Sequence, residues 1–251
     1  MKKRVLSLLL LAGCAAAAHA DLALTGYSSA GPLSTQERIW IREGQLRRDF
    51  VDRGRAYTQL FDLAKHQVAV VDHGARLIDT YDLKALQASA DVGAPPTTLN
   101  MTLTPTGETR PLRHWTCTAY TLAASMPTRL GNEDTVFRLQ GKVWVAADTP
   151  EQAAIKRLTE LARQKDFFLG IPAAIKATPA QAQMLSELVR SLAPKGLPCG
   201  GELDARYEGN GPMANLARRL PARLALSIQD FSNAPVATDV FAFPAGYQTR
   251  R

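Results

Sequence analysis

What is scarce in this 251-residue chain narrows its chemistry first. It has three cysteines, Cys14, Cys117 and Cys199, and no Cys-x-x-Cys or Cys-His cluster, so neither dithiol redox catalysis nor a zinc site is expected. No block of five like charges occurs; basic residues come singly or in pairs such as Arg47-Arg48 and Arg218-Arg219, which argues against a nucleic-acid partner. The longest small or apolar run, Val5 to Ala18, is fourteen residues. A membrane-spanning helix needs about 20, so the mature chain is expected to have no transmembrane helix. The glycine clusters, Gly200-Gly201 and Gly209-Asn210-Gly211, carry no phosphate-loop lysine after them and suit hairpin turns; no cofactor is expected.

The run that is present has the build of an export signal. Met1 to Arg4 is basic, Val5 to Ala18 is apolar, and Ala18-His19-Ala20 puts small residues where a signal peptidase reads, giving a signal peptide over 1–20. Inside it, Leu11-Ala12-Gly13-Cys14 has the form of a bacterial lipobox, which would make 1–13 the signal and Cys14 a lipidated first residue. The first cut yields a periplasmic protein and the second an outer-membrane lipoprotein. Asp21 onward alternates like a strand almost at once, with no polar tether, and this favours the first. The net charge of +7 includes Lys2, Lys3 and Arg4, leaving +4 from Asp21 onward, a mild balance that permits an anionic partner without demanding one. In an oxidising compartment Cys117 and Cys199 remain as the two thiols and are expected to pair.

With 46% hydrophobic residues the chain can bury a sizeable core, and no linker divides it, so 21–251 reads as one domain. From Glu37 to Tyr81 the runs ERIWIR, QLRRDFV, RAYTQLF, QVAVV and RLIDTY are separated by short Gly- and Asp-bearing turns, the pattern of an antiparallel meander. Ser89 to Pro96 is a loop by composition; Thr97 to Thr104, His114 to Ala123 and Val136 to Ala147 are strands, the last two joined by a loop around Pro127 and Gly131-Asn132. Thr149-Pro150-Glu151-Gln152 and Thr178-Pro179-Ala180-Gln181 each open an amphipathic helix. Cys199 to Glu208, Pro221 to Phe231 and Phe241 to Phe243 return to strand. The fold class is therefore mainly β with two helices, an α+β arrangement with both helices on one face of the sheet.

Catalytic constellations are fragmentary. Gly26-Tyr27-Ser28-Ser29-Ala30 lacks the last glycine of a nucleophile elbow and sits in an expected strand. His66 and His73 flank one strand at odd spacing, and His114 stands apart. Asp62, Asp72, Asp79 and Asp82 are accounted for in part by turns in which aspartate bonds the backbone. No catalytic or metal-ligating residue is assigned, and a non-enzymatic protein is expected. The surplus of apolar side chains could close as solid core or leave a slot between sheet and helices; Phe50, Trp115, Trp144, Met184 and Leu188 are the candidate lining of such a slot, which would suit an acyl chain.

The order of GQLRRDF, HWTCTAY, KVWVAAD running into helices, and FAFPAGYQ resembles a bacterial envelope domain family similar to the periplasmic lipoprotein-localisation factors and their outer-membrane acceptor, the LolA/LolB-like superfamily. The resemblance covers most of Gly26 to Tyr247. It implies an open antiparallel half-barrel with helices covering the concave face, and an apolar ligand or lipid moiety as partner. No functional position is carried over from that family. The alternative is an envelope structural or interaction module with a solid core and another envelope protein as partner.

Overall fold

Short connections between apolar runs force neighbours in sequence to be neighbours in space. The computed structural model describes residues 21–30, 33–85, 99–149, 152–164, 187–219 and 222–250. The expected signal segment with Cys14, the expected loop at 89–96, Met184 and the start of the second expected helix lie outside them. Strands β1 (Leu22–Ala30), β2 (Leu33–Arg42), β3 (Gln45–Asp52), β4 (Arg55–Asp62), β5 (Gln67–Asp72) and β6 (Leu77–Asp82) form the expected antiparallel meander. Two of its turns put both central residues at positive φ, Glu43-Gly44 at 46° and 82° and Arg53-Gly54 at 51° and 78°. This is the hairpin turn whose twist matches that of the strands. The wider turns are held by aspartates: Asp62 Oδ1 accepts the Lys65 N–H at 3.1 Å and Asp72 Oδ1 the Ala75 N–H at 2.9 Å, while Asp82 Oδ1 accepts the Ala85 N–H at 2.9 Å and caps the helical residues 83–85.

The second half contributes β7 (Asn100–Leu112), β8 (Trp115–Leu130), β9 (Glu133–Ala146), β10 (Leu197–Glu208) and β11 (Ala222–Ser232). Helix α1 (Gln152–Gln164) and the helical residues 187–192, here α2, fall between β9 and β10. Helix α3 (Pro212–Arg218), a 3-10 turn (Thr238–Phe241) and a short β12 (Gln248–Arg250) complete the described chain. The halves join across β1, which pairs with β2 on one side and β11 on the other. The result is one open sheet of 12 strands in the order β12-β6-β5-β4-β3-β2-β1-β11-β10-β9-β8-β7, antiparallel throughout except where β12 runs parallel to β6.

Three sequence expectations are corrected. Pro127 is not in a loop but inside β8, opposite Val136, and only Gly131-Asn132 forms the turn. Gly209-Asn210-Gly211 leads into α3 instead of a hairpin, with Pro212 suited to the first helical turn. Phe241 ends a 3-10 turn, and the last strand begins at Gln248.

Register tells which residues share a face. Reading across direct partners, Leu24, Ile39, Arg48, Gln59 and Val70 form one row over five strands. On the other side of β1 the same face continues through Leu226, Leu224, Gly201, Leu203 and Val143 to Leu122, Ala124 and Met126. Two apolar clusters lie along it. One contains Leu22, Ile41, Phe61, Val68, Ile228 and Phe231 together with Ala154 of α1; the other contains Leu122, Met126, Phe137, Leu139 and Leu203 together with Leu188 and Leu192 of α2. Helices whose apolar side chains enter these clusters are held by burial, at about 25 cal/mol per Å² of apolar surface. The opposite face over β4–β6 carries a smaller cluster of Leu60, Ala69, Val71 and Ile78, covered by Phe241 and Tyr247 of the C-terminal segment.

Cys117 and Cys199 are joined by a disulfide. They stand on β8 and β10 with β9 between, which in a regular sheet separates backbones by about 9.5 Å. Their Cα atoms are 6.3 Å apart; Cys117 stands opposite Ala146, the last residue of β9, and Cys199 sits in an irregularity of β10 between Pro198 and Gly200.

Helix α3 is only seven residues long and takes its N-terminal cap from another element. The Glu133 carboxylate accepts the Met213 N–H at 3.0 Å and the Ala214 N–H at 3.2 Å, placing negative charge at the positive end of the helix dipole. Glu133→Ala is expected to cost about 1–2 kcal/mol and to speed hydrogen exchange at Met213 and Ala214 selectively. Unchanged exchange at those two amides would refute the cap.

Candidate binding face

The face that carries both helices is not uniformly apolar. In the middle of β1–β4 it holds Ser28, Glu37, Arg48 and Gln59, beside the aromatic pair Phe50 and Tyr57. Each strand brings one of these residues to the face by the two-residue alternation of the pleat. The Glu37 carboxylate, 6% exposed, accepts a bond from Arg48 Nε at 3.0 Å, a second from Arg48 Nη2 and one from the Ser28 hydroxyl. Arg48 Nη1 also donates to Gln59 Oε1 at 3.4 Å, and its guanidinium lies over the Phe50 ring at 4.6 Å. Phe50 stacks on Tyr57 with ring centres 5.6 Å apart. The paired guanidinium and carboxylate neutralise each other, so this island is a polar floor and not an unpaired anion receptor. A neighbouring chain of apolar atoms would meet aromatic surface flanked by satisfied polar groups.

The candidate lining residues do not gather at one point. Phe50 is half-buried on this island; Trp115 is buried in the first cluster, edge-on to Phe231 at 4.8 Å. Leu188 belongs to the second cluster, and Met184 lies outside the described residues. Trp144, opposite Ala119 on β8, packs at the edge of the first cluster, with Arg110 and Lys142 over its ring at 4.5 and 5.6 Å. Burial pushes the Arg110 guanidinium below its ordinary value, and Glu202 opposes the shift. Sequence reading missed Glu37, Arg48, Gln59 and Tyr57. The available signal was the same-parity placement of charge among Ile39, Ile41 and Leu46.

A second polar assembly occupies the opposite face beneath the C-terminal segment. Arg47 forms a two-pronged pair with Asp49 at 2.8 and 2.9 Å and donates to the Val240 carbonyl at 2.6 Å. Thr58, buried, donates to Asp49 Oδ1 at 2.6 Å, so His73 Nε2, 2.9 Å from the same hydroxyl, carries the proton that Thr58 accepts. His73 Nδ1 is then left to accept from the Tyr247 hydroxyl at 3.1 Å. His73 is thus a strut for the C-terminal segment, while His114 rests against Trp115. Of the four aspartates, Asp79 pairs with Arg250 at 2.8 Å, Asp62 and Asp72 hold turns, and Asp82 caps the helical residues 83–85. At Asp62 burial raises the carboxyl, but bonds from Lys65 and Gln45 outweigh it and hold the group below its ordinary value.

Among the described residues no three His, Cys, Asp or Glu side chains gather as a metal-ligand set, and no helix is long and apolar enough to cross a membrane. No family model matches the chain, and a search of curated proteins returns no match.

Proposed function

We propose that the protein is an exported, non-enzymatic envelope protein that binds a lipid, or the lipid part of another molecule, between its sheet and its helices. In this reading the sheet is a half-barrel and its helix-bearing face is concave. The supporting observation is that one continuous face carries both apolar clusters, both helices and the Phe50–Tyr57 pair beside a neutralised polar island. An acyl chain gains by apolar burial and needs no charged receptor, and the Glu37–Arg48 pair leaves none free. The disulfide fits the oxidising periplasm, with an outer-membrane lipoprotein as the alternative placement.

The test is gentle mass spectrometry of the protein from its native envelope, with a fluorescent fatty acid as the added probe. Retained lipid and probe binding weakened about tenfold by Phe50→Ala, roughly 1.4 kcal/mol, are the expected results. No lipid, and no probe binding above a denatured control, would end this reading. The tight packing of Trp115, Cys117, Leu122 and Leu139, each 6% exposed or less, favours a second one: a solid-cored interaction module. In-cell crosslinking that recovers one envelope protein and no lipid would select it.

A further inference from the structure

Asp21 is an aspartate with half its hydrogen bonding missing. It is 3% exposed, directly precedes β1, and uses Oδ2 to accept the Val236 N–H at 2.7 Å. Its Oδ1 is buried with no partner. A buried carboxylate oxygen left unbonded is costly, and such an atom calls for a donor, best a cation. Arg42 and Asp230 on the packed elements are engaged elsewhere. Arg42 on β2 donates to the Val236 carbonyl and the Thr238 hydroxyl, both at 2.8 Å; Asp230 on β11 is paired with Arg113 at 3.2 Å; and Asp239 lies one residue beyond Thr238.

The missing donor is supplied if the chain is cut immediately before Asp21. Ala18-His19-Ala20 places small residues at the positions a signal peptidase reads. Hydrolysis of the Ala20–Asp21 peptide bond by water breaks the C–N bond, leaves a carboxylate on Ala20, and frees an α-amine on Asp21 that takes up a proton. That ammonium is bonded to the same Cα as the orphaned side chain. We infer that the chain is processed between Ala20 and Asp21, and that the ammonium so created is a structural cation seated on Asp21 Oδ1. Processing then completes the clasp by which Asp21 and Arg42 hold Val236 from its N–H and carbonyl sides. A cut before Cys14 would leave Asp21 acylated on nitrogen, without this cation.

The experiment uses the full chain exported with its own signal. Intact mass is expected to give a chain starting at Asp21, and NMR titration of the Asp21 Hα–Cα peak an amine pKa above the ordinary value of about 7.7–8.0. A raised amine pKa contributes stability fully present below the unfolded value and lost as pH rises through the folded one. An alanine inserted between Ala20 and Asp21, verified by mass to remain on the mature chain, is expected to lower Tm by about 2–4 °C near pH 7, with the difference vanishing at high pH. Asp21→Asn is expected to return the amine to its ordinary value and to abolish the effect of the insertion. A chain starting at acylated Cys14 overturns the inference. So does an amine that titrates normally, or an insertion that is equally harmful in the Asp21→Asn variant and in the native chain.

Discussion

Replacing both bridged cysteines, Cys117→Ala with Cys199→Ala, is expected to remove roughly 4–5 kcal/mol of unfolding free energy in the loop-entropy picture. The bridge closes a separation of 82 residues, and it does so where both cysteines are buried. Against a typical total of about 5–15 kcal/mol that is a large share, and for a chain of this size it lowers Tm by roughly 10–15 °C. Urea unfolding of the oxidised protein, the reduced protein and the double variant gives the check. The last two should nearly coincide. A loss under about 1 kcal/mol would mean that the packing around the buried cysteines holds this end of the sheet without covalent help.

Glu37→Ala is expected to cost about 3–5 kcal/mol, because it strands the Arg48 guanidinium, 18% exposed, and the Ser28 hydroxyl among Ile39, Phe50 and Gln59. The sign reverses when both charges go. Glu37→Leu with Arg48→Met removes the desolvation penalty along with the attraction and is expected to recover most of the loss. Urea unfolding of the single and double variants separates these cases. A single variant within about 1 kcal/mol of wild type would show that water reaches Arg48 and that the island is solvated.

These two effects mark what was and was not legible in the residues. The meander was legible because each of its runs is closed by turn chemistry local to it: Glu43-Gly44, Arg53-Gly54 and the aspartates at 62 and 72. The disulfide was legible from compartment and count alone. The ends of β7 and β8 were not, since Pro105 and Pro127 look like breakers until a partner strand supplies the pairing that overrides them. Helix α3 was hidden because its cap, Glu133, lies about 80 residues upstream. The polar island was hidden for a related reason. Arg48 and Glu37 each look like a solvent-facing charge along the chain, and only the cross-strand register brings the two together on a face whose other members are apolar.

The place of β1 in the sheet sets a timetable. Its partner β2 follows it at once, but its other partner, β11, begins about 200 residues later. A chain that emerges from its N-terminus can close β1 to β6 early, and then waits with a row of open backbone N–H and C=O groups along β1 until about the last thirty residues arrive. Such long-range pairing is slow. Throughout that interval the half-formed sheet presents Leu22, Leu24 and the apolar face beside them to any passing strand, so an escort would matter most before the final hairpin's worth of sequence has emerged.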